Sequence, residues 1–168
     1  MEKTKRFTDD AVSYDSDLLP EETIIYYSKP SNLIQMTISI IIAIAGIIYL
    51  TVFNEQPIGF VLTCTGAYLG VKKYRRATNP APQIILNNKG VQTASTSFYT
   101  WNQIKGIKTI RAGSYKYPKT YLTYKHPKGH EQFLVEDLNV NRRTLDKLLK
   151  FYHNSFKEAY KTSPNAHH

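Results

Sequence analysis

Two apolar runs separated by Asn54-Glu55-Gln56-Pro57 constrain the fold of this chain more than any other feature. The first, Leu33 to Phe53, is 21 residues without a charge. At about 1.5 Å per residue, a helix of that length matches a hydrocarbon core about 30 Å thick. The second, Ile58 to Val71, is shorter and holds Gly59, Gly66 and Gly70, so taken alone it fits either a membrane span or a buried helix. Lys72, Lys73, Arg75 and Arg76 follow it directly, and such side chains lengthen a short span by reaching for the headgroups. The connecting loop has no Lys or Arg, whereas Lys29 stands before the first run, which places both ends on the cytoplasmic side. The expectation is a two-helix transmembrane hairpin over residues 33–71, with Lys72, Lys73, Arg75 and Arg76 at the membrane interface.

The remainder of the 168 residues suffices for one further small domain. The net charge of +9 is unevenly spread: residues 1–32 carry four basic and seven acidic side chains, residues 72–168 eighteen basic and five acidic. A basic domain tethered beside a cytoplasmic leaflet has anionic lipid as its nearest polyanion, so nucleic acid is not the expected partner. The single cysteine, Cys64, excludes an intramolecular disulfide and a thiolate metal cluster. Thirty-two mostly polar residues precede the first apolar run, which therefore reads as a retained anchor and not a cleaved leader.

Residues 1–21 have too few apolar side chains to bury and read as a tail. Residues 22–32 include Thr23 to Ser28, whose β-branched and aromatic content marks a candidate first strand. Residues 72–82 form a basic juxtamembrane linker ending in Thr78-Asn-Pro-Ala-Pro82, which no helix continues through. Six strands are expected after it: Gln83 to Asn87 and Val91 to Ser95 around a turn whose Gly90 supplies a positive φ, Phe98 to Trp101, Gly106 to Arg111, Lys119 or Thr120 to Lys125, and Glu131 to Glu136. From Asn141 the period changes: Leu145, Leu148, Leu149, Tyr152, Phe156 and Tyr160 share one helical face, with Asn139 or Asn141 as cap. Residues 83–162 thus form the domain, and residues 163–168 a short polar tail.

Six short strands closed by an amphipathic helix, a Gly turn after the first, and Phe98-Tyr-Thr-Trp101-Asn-Gln-Ile104 leading into the fourth resemble bacterial pleckstrin-homology-like domains. With an upstream two-helix hairpin, the chain is similar to the YcxB-like group of small membrane proteins. The resemblance covers residues 22–160. It implies an α+β membrane protein: a small antiparallel β-barrel or roll of seven strands closed by a C-terminal helix. Thr23 to Ser28 would supply the seventh strand, making the hairpin an insertion. It also implies a small bacterial membrane protein, and with the loop and flanking charges above the expectation is a multi-pass protein of the inner membrane with both termini cytoplasmic. No catalytic residue or cofactor comes with the family.

Candidate sites are few. His126 and His130 flank a Pro-Lys-Gly turn and lack a third ligand nearby, so no metal site is expected. No nucleophile elbow, phosphate loop or dinucleotide fingerprint occurs, and the chain does not read as an enzyme. Tyr115, Lys116, Tyr117, Lys119, Tyr121 and Lys125 interleave aromatic and basic side chains, a mixture suited to a membrane interface. Arg142 and Arg143 fall in the first turn of the last helix, where the dipole disfavours cations, so an anion is expected beside them. Glu136 or Asp137, a lipid phosphate, or an acidic protein surface would serve. Trp101 is expected to pack in the core. The reading that follows is a non-enzymatic, membrane-anchored module whose basic domain engages an acidic protein or anionic lipid headgroups. An immunity protein neutralising a toxin is the alternative, and a lipid-modifying membrane enzyme a third.

Overall fold

Strand β1 (Glu22–Ile25) pairs antiparallel with β2 (Ile84–Asn87), although the whole apolar stretch lies between them in sequence. The computed structural model describes residues 20–53 and 56–162. The N-terminal tail, the C-terminal tail and the turn residues Asn54 and Glu55 lie outside the described residues. The architecture is α+β, with three helices and two antiparallel sheets. By compactness the chain forms two units: Tyr27–Pro80 is one, and the segments before and after it together make the other.

In the β-containing unit, β1, β2, β3 (Gly90–Thr93) and β4 (Tyr99–Thr100) lie side by side in chain order. Alternation decides what each strand buries. Thr23 and Ile25 of β1 oppose Leu86 and Ile84 of β2, and all four are buried. Leu86 in turn faces Val91, also buried. The β2–β3 turn is closed by the Asn87 side chain, whose Oδ1 accepts the amides of Lys89 and Gly90, both at 3.0 Å. Gly90 does not have the positive φ expected of it. It is needed because Tyr99 O lies where its Cβ would stand. Trp101, 3% exposed, follows β4 in a single 3-10 turn and donates from Nε1 to Asn87 O at 3.0 Å. It is core packing.

The second sheet is β5 (Lys105–Ser114), β6 (Tyr117–His126) and β7 (Gly129–Leu134), with β6 central. β5 carries a bulge between Lys105 and Lys108, at Gly106 with φ of 66°. That left-handed conformation is one glycine adopts at little steric cost. Of the expected barrel or roll, no closed barrel is formed: β4 and β5 do not pair, and the described strands stay as two sheets of four and three. The last helix, α3 (Arg142–Thr162), buries Leu145, Leu148, Leu149 and Tyr152. The stripe is buried only that far, because Tyr160 is 56% exposed. Asn141 is the cap, its Oδ1 accepting Thr144 N at 2.9 Å. Asn139 instead exchanges hydrogen bonds with Tyr26, which ties β1 to the start of α3.

The other unit is an antiparallel pair, α1 (Lys29–Thr51) and α2 (Gln56–Thr78). Small or polar residues recur on α1 at intervals of seven, Asn32, Ser39 and Gly46, and all three are buried. On α2, Gly59, Gly66, Gly70 and Ala77 are buried. Seven-residue spacing keeps a seam in register between two helices, and small residues let their backbones approach. A Cβ at Gly66 would stand 2.5 Å from Ala43 N, and one at Gly46 2.5 Å from Thr63 N. The seam hydroxyls are satisfied within their own helices, Ser39 donating to Gln35 O and Thr63 to Gly59 O, each at 2.8 Å. Neither hydroxyl is left as an orphaned donor to disfavour an apolar surrounding.

Candidate membrane and partner interface

Nine large apolar side chains of α1, Leu33 to Tyr49, are at least 40% exposed. Half-exposing nine such groups forgoes on the order of 10 kcal/mol of burial in water, as much as the entire stability of an ordinary domain. A soluble core helix hides its apolar side, whereas only 11% of the apolar window of α1 is buried. Aromatic side chains mark both ends of the unit. Tyr49 and Phe53 pair at 5.2 Å between ring centroids near the turn. Toward the other end, Lys72 lies over Tyr68 at 6.0 Å and Arg76 over Tyr27 at 5.7 Å.

By length and composition α1 is the one described helix able to cross a membrane, so the expected second span is not found in α2. The apolar part of α2 stops at Val71, about 21 Å from Ile58. Lys72, Lys73, Arg75 and Arg76 were expected in a linker, and they are instead the last turns of α2. Gln56 and Pro57, expected in the turn, begin that helix.

In the β unit, register sorts the basic and aromatic candidates. Tyr115, Lys116, Tyr117 and Lys119 sit at the tip of the β5–β6 hairpin, where Tyr115 is 104% and Tyr117 71% exposed. The Lys116 ammonium lies 5.7 Å from the Tyr117 ring centroid. Tyr121 and Lys125 follow Tyr117 and Lys119 at two-residue intervals along β6, so all four share the face opposite Leu122 and Tyr124, which are buried.

Arg142 and Arg143 separate. Arg142 Nε donates to Thr109 Oγ1 at 3.0 Å and lies 3.7 Å from Asp146 Oδ2, while Thr109 Oγ1 donates to Asp146 Oδ1 at 2.7 Å. An anion beside it is Asp146, one turn on, which was not among the expected candidates. Glu136 instead accepts Thr120 N at 3.2 Å. Both borders a shallow cleft of about 250 Å3 whose charged groups are thus already engaged. Arg143 is exposed. Arg142→Ala is expected to destabilise the β unit by about 1 kcal/mol, and Arg143→Ala to stay within about 0.5 kcal/mol of the parent. Urea unfolding followed through Trp101 fluorescence measures both.

The His126 ring stacks on Tyr99 at 4.5 Å, and its Nδ1 accepts Lys128 N at 3.3 Å. His130 pairs with Lys125 in register and His126 with Gly129, so the two imidazoles leave opposite faces of the sheet. They are not placed to share a metal ion. His153, packed 5.4 Å from Trp101, has its pKa lowered first by burial and then by Lys157.

No protein-family profile, curated protein or solved structure matches this chain.

Proposed function

We propose that this protein is a non-enzymatic, membrane-anchored binding module. Its helical hairpin lies in the membrane with both termini on the cytoplasmic side, and its basic β unit, of pleckstrin-homology-like type, engages an acidic partner or anionic lipid. The observation that carries this reading is the exposed apolar circumference of α1 beside a seam of small residues that seats α2 against it. A helix with apolar side chains exposed everywhere but one packing seam matches hydrocarbon as its solvent. α2 packs along α1 and so accompanies it, and its basic last turns extend a short apolar stretch toward the headgroups. Residues 26–28 and 79–83 link the hairpin to the β unit along the chain. The pleckstrin-homology-like reading draws support from the order of elements: one strand, an inserted hairpin, six strands and a closing helix.

Single cysteines in intact cells test the arrangement. One at Gln56 is expected to react with a membrane-impermeant maleimide and one at Lys89 is not.

A further inference from the structure

The strand register of the second sheet assembles a surface that is not visible in the linear sequence. Lys105 stands directly opposite Lys125, and Lys125 directly opposite His130, so three basic side chains form one row across β5, β6 and β7. Adjacent strands are about 4.8 Å apart, which puts the row within about 10 Å. Like charges directly opposite each other cost stability. Lys108 lies on the same face in the next row, beside Thr123. Beyond it Ile110, Tyr121 and Leu134 align as a half-exposed apolar band, and then comes Lys119, opposite Ala112.

The same registers place no Asp or Glu on this face: Glu131, opposite Tyr124, belongs to the other side and accepts a hydrogen bond from Ser95 at 2.6 Å. Among the described residues, none of Lys105, Lys108, Lys119 and Lys125 is paired with a carboxylate. Lysines on edge strands guard against aggregation. That account does not extend to Lys119 and Lys125, which lie on the central strand.

The geometry points to this outward face, together with the Tyr115–Lys119 tip, as a docking surface for an anionic bilayer. The inference rests on the membrane-anchored reading and names its partner. On that reading the bilayer is the nearest polyanion, and it accepts the apolar band and the exposed Tyr115 and Tyr117 at headgroup depth beside lysine. Recognition is of negative surface charge and not of one headgroup, because the lysines are spread over a flat sheet and converge on no pocket.

The test uses the full chain in nanodiscs of phosphatidylcholine alone or mixed with phosphatidylglycerol. With Cys64→Ser as background, an environment-sensitive fluorophore is placed on Tyr115→Cys. Its emission should shift to the blue only in the anionic discs and return on adding salt. A lysine near an anionic leaflet strengthens binding about fivefold, so Lys105→Gln with Lys125→Gln should weaken docking about 25-fold. Unchanged Trp101 emission would show that the fold is intact, and Lys150→Gln, exposed on α3 and therefore on the other side of the sheet, controls for bulk charge. No shift in anionic discs, or a shift insensitive to the double variant, overturns the docking surface while leaving the anchor in place. Failure of the chain to co-elute with discs of either composition overturns the anchor and, with it, the docking surface. Strong binding of a single-stranded oligonucleotide or an acidic protein through the same lysines, without a lipid response, likewise overturns the assignment to a bilayer.

Discussion

Deletion of residues 1–28 is expected to unfold the β unit, even though every other strand lies beyond residue 83. β1 supplies Ile25, 1% exposed, and Thr23, 0% exposed, to the core beneath β2. Losing a buried Ile side chain alone costs about 2–5 kcal/mol. Thr23 Oγ1 also lies 2.6 Å from the Tyr152 hydroxyl, which donates to Pro20 O at 2.8 Å. Burial raises the pKa of Tyr152, so the phenol stays neutral and depends on those partners for its hydrogen bonds. Removing both strands a buried hydroxyl, at about 1–3 kcal/mol more. Two further ties go with the segment: Gln83 N to Ile25 O at 2.8 Å and Asn139 N to Tyr26 O at 2.9 Å. The sum approaches the whole stability of a small domain, about 5–15 kcal/mol. Thermal unfolding followed by near-UV circular dichroism measures it, and Ile25→Ala should lower the Tm part of the way. A truncated chain that melts with the parent would show that β2 to α3 fold without β1.

The second large effect is expected at Gly66→Leu. Its Cβ would meet Ala43 N at 2.5 Å and Ser39 O at 2.7 Å, both backbone atoms, so no rotamer change relieves the clash. The helices must separate, at about 3 kcal/mol or more. Gly70→Ala is the matched control, because its Cβ would find only Ser39 Cβ at 3.8 Å, ordinary contact. In detergent, crosslinking between cysteines placed on α1 and α2 should be lost in Gly66→Leu and kept in Gly70→Ala. Retained crosslinking in both would mean that the glycine seam does not set the helix spacing.

Seven strands and an amphipathic helix were legible because their signals are local. The Gly90 turn marked the β2–β3 hairpin, alternation about the Pro-Lys-Gly turn marked β6 and β7, and the three-and-four spacing of Leu145 to Tyr152 marked α3. What escaped depends on pairing or on chemistry at a distance. Alternation says that β4 and β5 are strands and not that they leave each other unpaired, so the barrel expected from resemblance became two sheets. The bulge at Gly106 sets which lysine of β5 faces Lys125, and the basic row cannot be read without it. Two features were legible and went unread. Arg142 and Asp146 are four apart on a helix, the spacing of an ion pair. The recurrence of Asn32, Ser39 and Gly46 every seven residues, matched by Gly59 and Gly66, is a packing seam written in the sequence. Charge ends an apolar run and so suggests a linker over Lys72 to Arg76, although charge does not end a helix.

The membrane hairpin with both ends inside is the claim on which the rest depends, and cysteine accessibility tests it most directly. In a Cys64→Ser background, Gln56→Cys and Lys89→Cys are expressed separately and intact cells are treated with a membrane-impermeant maleimide before fractionation. The account predicts that both variants remain with the membranes, that Gln56→Cys is labelled from outside, and that Lys89→Cys is labelled only after lysis. Labelling of Lys89→Cys in intact cells with Gln56→Cys protected would contradict the orientation, and recovery of both variants in the soluble fraction would contradict the anchor itself.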